Sequence, residues 1–326
     1  MIIVTGGAGF LGSAIVWGLN RRGVDDILVV DNLGCTEKWK NLVGLRYRDY
    51  VHKDEFAQRL RSSPWAEPVE AVIHMGACSS TTERDADYLM RNNVEYSKLL
   101  CRFALEQGAR FVYASSAATY GDGGLGFEDD DAQLDRLCPL NMYGYSKHLF
   151  DLWVRDEGLL DAVAGLKFFN VFGPNEYHKG EMRSVVCKAV AEITATEELR
   201  LFCSHRPDYA HGEQQRDFVY VEDCVEVVLW LLENTAVGGI FNVGTGRSRT
   251  WNDLARAVFA AMGREPRIRY IPMPEAIREK YQYYTCASMA KLRSRGCTVP
   301  FRSLEEAVTR YVQDFLLQGP AYLRSR

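Results

Sequence analysis

A glycine-rich turn between two short apolar runs, near the start of the chain, constrains the fold more than any other feature. Residues 2–4 (IIV) are apolar and β-branched, which favours a short buried strand, and residues 5–12 (TGGAGFLG) follow directly. Residues 13–22 have the pattern of a helix, and a second apolar run at 27–30 (ILVV) ends on Asp31. Strand, glycine-rich turn, helix, strand and acid in this order predict the first unit of a dinucleotide-binding fold.

The glycines of this turn have separate roles. Gly6 and Gly9 permit a tight turn and let backbone N–H groups approach a pyrophosphate, which the N-terminus of the following helix also attracts. Gly12 lets that helix pack close to the first strand. Asp31 stands nineteen residues after Gly12, where a carboxylate can accept hydrogen bonds from a ribose. The turn therefore predicts a dinucleotide cofactor.

Strands and helices alternate along most of the remaining chain. Apolar runs predict strands and periodic segments predict helices, in turn, at 69–74, 85–107, 111–114, 140–157, 162–169, 221–233 and 240–243. The alternation predicts an α/β fold: a Rossmann-type doubly wound parallel sheet with a second, smaller α/β substrate domain. The dinucleotide-binding domain is expected to comprise residues 1–170 and 217–245, and the substrate domain residues 171–216 and 246–326. The acidic stretch 123–137 is expected to be a solvated loop.

Composition argues against several classes of function. The chain has 326 residues, a net charge of −4 and no long basic run, which argues against nucleic acid as a partner. Its apolar stretches are shorter than the ~18 residues that cross a bilayer, and Met1 already belongs to the first strand, so neither a membrane span nor a signal peptide is expected. The nine cysteines lack CxxC or Cys/His spacing, which predicts reduced thiols, no metal site and a cytoplasmic location.

Tyr143 and Lys147 are four residues apart on a predicted helix and therefore share one face. A tyrosine with an ordinary pKa of ~10 is a poor base near neutrality, and a neighbouring ammonium is expected to lower the pKa of the phenol. The same ammonium can hold a nicotinamide ribose, and Ser116, at the end of a preceding strand, can donate a hydrogen bond to a substrate oxygen. These groups could remove the proton of an alcohol as its carbon gives a hydride to the cofactor. An isolated YxxxK pattern is more often a surface pair, but behind a nucleotide-binding turn the catalytic interpretation is favoured.

Several motifs resemble those of a known family. Three are typical of the extended short-chain dehydrogenases/reductases, namely GGAGFLG (6–12), SSAATYG (115–121) and YGYSK (143–147). Others resemble the ADP-heptose 6-epimerase branch of that family, namely DNL (31–33), GACSSTTE (76–83), FNVFGPNEYHKG (169–180), QRDFVYV (215–221) and KYQYYT (280–285). The resemblance spans nearly the full length. It implies inversion of carbon 6 of ADP-D-glycero-D-manno-heptose, which supplies heptose for the lipopolysaccharide inner core.

The resemblance also implies roles for particular residues. Tyr143 would be one acid/base, with Lys147 and Ser116 beside it, and Lys179 would be the second acid/base. The cofactor site would comprise Gly6, Gly9, Phe10, Leu11, Gly12, Asp31, Asn32, Lys38, Lys53, Met75, Gly76, Ala77, Cys78, Ser79, Asn92, Lys147, Val171 and Lys179. The substrate site would comprise Asn170, Glu181, Lys188, Phe202, Cys203, Ser204, His205, Arg216 and Tyr281. A homo-oligomer, commonly a pentamer in this family, is implied as well.

The implied reaction needs two acid/bases. Carbon 6 of the heptose lies outside the ring, so oxidation to a ketone and rotation about the C5–C6 bond present its opposite face to the same cofactor. The oxygen then points elsewhere, and a second proton donor is needed where it lands. Tyr143 and Lys179 on opposite sides of carbon 6 would meet this need. The alternative interpretation of Lys179 is a surface or phosphate-binding lysine.

The residues alone leave the choice between NAD and NADP open. Asp31 favours the free 2′-hydroxyl of NAD, because a carboxylate repels a 2′-phosphate. The family tends to use NADP, and Lys38 and Lys53 could supply the compensating positive charge. NADP is therefore the expected cofactor, with NAD as the alternative.

Three positions depart from the family pattern and leave the exact nucleotide sugar open. Met75 replaces a usual glutamate, Glu181 a serine and Lys188 a histidine. A sugar 4-epimerase or 4,6-dehydratase is the first alternative function, although Ser116 is followed by alanine rather than by the Asp-Glu pair of the dehydratases. A non-catalytic cofactor-sensing or scaffold protein is the second, but such proteins typically lack the tyrosine or the lysine of the YxxxK motif, and both are present here.

Overall fold

A computed structural model of the protein describes residues 1–278, 281–319 and 321–325. Lys280, the first residue of the KYQYYT motif, lies outside the described residues. The strands are β1 (Ile2–Thr5), β2 (Ile27–Asp31), β3 (Asp49–His52), β4 (Ala71–His74), β5 (Arg110–Ser116), β6 (Val163–Phe168), β7 (Asn170–Phe172), β8 (Leu199–Phe202), β9 (Gln215–Arg216), β10 (Phe218–Tyr220), β11 (Gly239–Val243), β12 (Arg249–Thr250) and β13 (Ile268–Ile271). The helices are α1 (Phe10–Arg21), α2 (Lys53–Ser62), α3 (Ala86–Leu89), α4 (Tyr96–Glu106), α5 (Met142–Asp156), α6 (Val185–Thr196), α7 (Val221–Glu233), α8 (Trp251–Ala261), α9 (Glu275–Arg278), α10 (Ala290–Ser294) and α11 (Leu304–Tyr311).

The chain also contains short π-helical and 3₁₀ turns. π-helical turns lie at Met90–Glu95, between α3 and α4, and at Val312–Leu316, after α11. The 3₁₀ turns are Glu37–Asn41, Ala117–Tyr120, Asp131–Arg136 and Tyr177–Met182.

Within the described residues, seven strands form one parallel sheet in the order β11-β6-β5-β4-β1-β2-β3. The strand order reverses at β1, which pairs with β2 on one side and with β4 on the other. In such sheets the crevice outside the carboxyl ends of the strands at the reversal is where ligands bind. The predicted Rossmann-type doubly wound sheet is therefore confirmed.

Helices cover both faces of this sheet. Val4 of β1 packs in one core with Trp17 of α1 and Val225 of α7, while the adjacent Ile3 packs in the other core with Phe150 of α5. Neighbouring strand residues point to opposite faces, so β1 serves both cores. A sheet buried on both sides is typical of α/β proteins and explains why its strands are nearly continuous apolar runs.

A smaller core lies outside the main sheet. Helices α6, α8 and α11 pack there against the two-stranded pairs β7–β10 and β8–β13. Two of these helices begin with a capping box: α8 with Thr250 and Asp253, and α11 with Ser303 and Glu306. These caps satisfy N–H groups that have no partner within the helix. The domain boundaries proposed from the sequence remain a prediction.

Much of the segment 123–137 is exposed as predicted, but the prediction of a solvated loop is wrong for part of it. Phe127 is only 6% exposed, and it packs with Leu134 and Leu137 over the edge of the sheet. The carboxylate of Asp129 is also buried, and it accepts a hydrogen bond from the backbone N–H of Asn242 (2.8 Å). Three apolar side chains spread over eleven residues show no periodicity in the sequence. Their burial nevertheless holds the segment against the sheet.

Candidate active site

A cleft of about 810 Å³ lies at the carboxyl ends of the central strands, between the sheet and the smaller core. It brings together every residue predicted for catalysis and for the cofactor, together with Asn170 from the predicted substrate residues. These residues come from segments far apart in the chain: the glycine-rich turn, the ends of β2, β4 and β5, the start of α5, strand β7 and the 3₁₀ turn at Tyr177–Met182.

The glycine-rich turn forms a cradle of bare backbone at one end of the cleft. Gly6 has a positive φ of 66°, and a Cβ placed on it would lie 2.6 Å from the Cα of Gly76. A Cβ on Gly12 would lie 2.1 Å from the carbonyl oxygen of Gly6, so α1 packs directly against the turn. Helix α1 begins at Phe10, and its first N–H groups have no partners within the helix. A side chain at either glycine would clash with neighbouring backbone, so only glycine allows this close-packed turn, whose free N–H groups fit a pyrophosphate.

Asp31, at the end of β2, has three hydrogen-bond donors around its buried carboxylate. The backbone N–H of Ala8 donates to Oδ2 (2.8 Å), while the backbone N–H of Asn32 (2.6 Å) and the Lys38 amine (2.5 Å) donate to Oδ1. Lys38 therefore offsets the charge of Asp31 at the place where the fold positions a ribose. Lys53, on α2, donates to the side-chain oxygen of Asn92 (3.0 Å) on the same side of the cleft.

Tyr143 lies in the first turn of α5, which Asn141 caps by accepting a hydrogen bond from the backbone N–H of Gly144 (2.8 Å). Lys147 follows one turn later, and its amine donates to the carbonyl oxygen of Ala114 on β5 (2.8 Å). Burial lowers the pKa of Lys147 to about 8, while the charge of Asp151, one turn further on, opposes that shift. At neutral pH the amine is still mostly charged.

The expected lowering of the Tyr143 pKa is wrong for the protein alone. Burial raises the pKa of the phenol, and the hydroxyl of Ser116 beside it only partly opposes the rise. Loss of hydration in the narrow cleft outweighs the favourable groups around the phenolate. The positive charge of an oxidised nicotinamide held against Tyr143 would favour the phenolate.

Lys179 lies in the 3₁₀ turn Tyr177–Met182 and lines the same cleft as Tyr143 and Lys147 of α5. Its ammonium is 5.2 Å from the centre of the Phe10 ring, at the start of α1, so it faces the glycine-rich turn. Burial lowers the pKa of Lys179, and the charge of Glu176 partly opposes this. Lys179 is thus a cleft lysine with a shifted pKa, which is typical of residues that transfer protons.

Two predicted substrate residues stand behind the cleft wall rather than in it. Arg216, only 7% exposed, places its guanidinium 5.0 Å from the ring centre of Tyr281 and 5.8 Å from that of Trp251. Trp251 lines the cleft, and its indole N–H donates to the hydroxyl of Tyr281 (2.8 Å). Arg216 and Tyr281 therefore contact the cleft only indirectly, through Trp251, which the sequence analysis did not select.

The other predicted substrate residues lie further out. Residues 202–205 lie beside the same aromatic side chains. The backbone N–H of His205 donates to the hydroxyl of Tyr283 (3.0 Å), and the ring of Tyr283 is 5.5 Å from that of Tyr281. Lys188 donates to the carbonyl oxygen of Glu181 (3.1 Å), and Glu181 is exposed beside the cleft. The functional roles of all these residues remain predictions.

His178 is a cleft residue that the sequence analysis missed. Burial and the charges of Lys38 and Lys179 lower the pKa of its imidazole to about 4, so it is neutral at physiological pH. Its position next to Lys179 in the sequence was the only available signal. Tyr88, Tyr96, Met182 and Arg183 also line the cleft without having been selected.

The sequence profile of the NAD dependent epimerase/dehydratase family matches residues 2–244. An ADP-L-glycero-D-manno-heptose-6-epimerase from Nitratidesulfovibrio vulgaris is 63% identical over 325 residues, which cover 99% of this chain and all of the relative. A crystal structure of the Helicobacter pylori ADP-L-glycero-D-manno-heptose-6-epimerase superposes with a TM-score of 0.79 at 25% identity, covering 96% of this chain and 95% of that one. A Thermus thermophilus UDP-glucose 4-epimerase in complex with NAD has a TM-score of 0.74 at 25% identity, covering 98% and 99%.

The chain belongs to the NAD dependent epimerase/dehydratase family and, within it, to the ADP-L-glycero-D-manno-heptose-6-epimerases. Its cofactor is a nicotinamide dinucleotide. In the part of the chain that the structure describes, no helix has both the length and the apolar character of a membrane span. The same residues contain no group of three or more histidine, cysteine or acidic side chains placed to share a metal ion.

Proposed function

We propose that the protein converts ADP-D-glycero-D-manno-heptose to ADP-L-glycero-D-manno-heptose, for the inner core of lipopolysaccharide. The observation that carries this proposal is the placement of two proton-transfer groups, Tyr143 and Lys179, on different elements lining one cleft. A reaction at an exocyclic carbon whose oxygen changes side requires such an arrangement. The 63% identical relative of that name supports the substrate.

The chain's own residues would bind, orient and exchange protons with the sugar. The nicotinamide, when bound, supplies a reversible acceptor for the hydrogen of carbon 6. Ser116 would donate a hydrogen bond to the oxygen on carbon 6, and Tyr143 would exchange its proton with that oxygen. Lys147 would hold the cofactor ribose and keep a positive charge one turn from Tyr143. After rotation about the C5–C6 bond, Lys179 would exchange a proton with the oxygen in its new position.

The pKa values of Tyr143 and Lys179 are both shifted, which is typical of residues that transfer protons. Burial raises the pKa of Tyr143 and lowers the pKa of Lys179. Desolvation therefore opposes the charged form of each group, the phenolate of Tyr143 and the ammonium of Lys179. One proton donor and one acceptor are what each direction of the reversible inversion needs.

Incubation of the purified protein with ADP-D-glycero-D-manno-heptose tests the proposed function. We expect conversion to the L isomer, observed by NMR of the released sugar, with no net oxidation or reduction of cofactor. A substrate deuterated at carbon 6 should retain its label, because the hydrogen returns to the carbon that it left. Conversion of UDP-sugars instead of the ADP-heptose would assign the chain to the 4-epimerases, and loss of water from the sugar would assign it to the dehydratases.

We also propose NADP as the bound cofactor. The Lys38 amine lies 2.5 Å from the Asp31 carboxylate and cancels its charge, so a 2′-phosphate would not meet an unpaired anion. Replacing Lys38 with methionine should weaken NADP binding by about 10- to 100-fold, the worth of a charge-assisted hydrogen bond, and NAD binding by less.

Fluorescence titration of the two cofactors measures this preference. Lys40→Met is a matched control, since Lys40, two residues away, is half-exposed and pairs with Glu37. An equal loss of affinity for both cofactors in Lys38→Met would contradict the proposed selectivity. The cytoplasmic location, inferred from the cysteine pattern, and the pentameric assembly, implied by the resemblance, stay predictions. Mass measurement in solution can check the assembly.

A further inference from the structure

Asn41, which is only 1% exposed, lies at the end of the 3₁₀ turn Glu37–Asn41. Its side-chain nitrogen donates to the carbonyl oxygen of Ala8 (2.9 Å) and to that of Asn175 (3.0 Å), and it lies 3.3 Å from Nδ1 of His178. Carbonyl oxygens can only accept hydrogen bonds, so the two backbone partners fix the amide in this orientation. One buried side chain thus joins three separate segments.

The first two segments belong to the cofactor side of the cleft. Ala8 lies in the glycine-rich turn, where its N–H donates to Asp31 (2.8 Å) and its carbonyl accepts from Asn41. Two residues later, Phe10 carries the ring over which the Lys179 ammonium sits. Lys38, which pairs with Asp31, is on the same 3₁₀ turn as Asn41.

The third segment leads to Lys179. Asn175 has a positive φ of 76°, a left-handed conformation that costs a non-glycine residue free energy and needs surrounding contacts to hold it. Its side chain donates to the hydroxyl of Ser13 on α1 (2.9 Å) and accepts from the backbone N–H of Leu323 (3.0 Å), while its carbonyl accepts from Asn41. The direction of the chain into residues 176–179 is set at this corner.

We propose that Asn41 is a positioning residue for Lys179: it fixes the distance between the Lys179 turn and the glycine-rich turn, and so places the second acid/base beside carbon 6. The proposal rests on the proposed function, in which Lys179 serves one of the two epimers. Asn41 does not line the cleft and acts through the Ala8, Asn175 and His178 contacts. Its loss should therefore impair the proton transfer at Lys179 and spare that at Tyr143.

Two half-reactions in single turnover separate these effects. Ketone formed at carbon 6 from each ADP-heptose epimer is measured by rapid quench and mass spectrometry. The epimer that Lys179 serves is the one whose oxidation stops in Lys179→Met. In Asn41→Leu, which keeps the branched shape of the side chain and removes both donors, we expect that half-reaction to slow by about 10- to 100-fold, as for a catalytic group displaced by about 1 Å. The other half-reaction, measured at saturating cofactor, should be unchanged.

Asn20→Leu is the matched control. Asn20 is also buried and likewise donates to two backbone carbonyl oxygens, those of Val24 (2.9 Å) and Arg46 (2.8 Å), but it lies at the far end of α1. Its loss should lower the melting temperature and leave the ratio of the two half-reactions unchanged. If Asn41→Leu does not fold, Asn41→Ser, whose hydroxyl retains one donor, is used in the same comparison.

Equal slowing of both half-reactions in the Asn41 variant, or slowing of neither, overturns the proposal while leaving the proposed function intact. Failure of the proposed function has a different signature, because the wild-type protein would then oxidise neither epimer or Lys179→Met would oxidise both.

Discussion

Lys179→Met and Tyr143→Phe should each lower the rate of heptose inversion by about 10³-fold, within the range for loss of a general acid or base. Both side chains line the cleft, and neither replacement alters the glycine-rich turn or Asp31, so the cofactor should remain bound. Methionine keeps much of the length of lysine, and phenylalanine keeps the ring of tyrosine. The expected loss therefore reflects the missing proton-transfer group rather than a cavity.

The two variants should fail in opposite halves of the reaction. If each group serves one epimer, Lys179→Met oxidises only the epimer served by Tyr143, and Tyr143→Phe oxidises only the epimer served by Lys179. Ketone formation from the separate D and L epimers measures this directly. Tyr145→Phe is a matched control, because Tyr145 is two residues along α5 and 51% exposed. Full inversion activity in Lys179→Met would remove the second acid/base from the proposal.

The fold and the cofactor end of the cleft could be predicted because their signals are local. Strand, glycine turn, helix and Asp31 occupy thirty-one consecutive residues, and each element has its own pattern. The structure places Gly6, Gly12 and Asp31 as that pattern requires, with the backbone too close for a Cβ at either glycine. Parallel pairing of successive strands then follows from the alternation of strands and helices.

The substrate end could not be predicted because its contacts join distant residues. Arg216, Trp251 and Tyr281 meet through a guanidinium–ring contact and an indole hydrogen bond, although they are spread over 66 positions of the chain. No periodicity or motif links a tryptophan at the start of α8 with that arginine. The motif resemblance supplied Arg216 and Tyr281, but the residue that connects them to the cleft required the structure.

The pKa of Tyr143 is a second property that could not be predicted from the sequence. The spacing of Tyr143 and Lys147 correctly predicts a shared helix face, and both residues line the cleft. It does not predict the net effect on the Tyr143 phenol, because burial depends on everything packed around α5. Asn41 is similar: an isolated asparagine in a short 3₁₀ turn gives no signal until its three contacts are seen.

Replacing Lys167 with methionine should destabilise the protein by about 3–5 kcal/mol, because it leaves a buried charge without its partner. Asp151 is 0% exposed and Lys167 1% exposed, and the amine lies 2.8 Å from the carboxylate. Asp151 also accepts hydrogen bonds from the hydroxyls of Tyr113 (2.9 Å) and Ser115 (2.7 Å), and the Lys167 amine donates to the hydroxyl of Thr119 (2.6 Å). Urea unfolding followed by circular dichroism measures the loss.

Asp151 lies on the same helix as the proposed catalytic residues Tyr143 and Lys147, which gives the ion pair a second readout. Asp151 is one turn along α5 from Lys147, and its charge opposes the effect of burial on the Lys147 pKa. Asp151→Asn should therefore lower the pKa of Lys147 further below about 8, so that inversion activity falls at a lower pH as Lys147 loses its proton.

Arg267→Met is the control for the stability of Lys167→Met. It breaks an exposed ion pair with Glu197 (3.2 Å) and should change the free energy of unfolding by less than about 1 kcal/mol. A comparable loss in Lys167→Met would show that the buried pair does not hold α5 against β6.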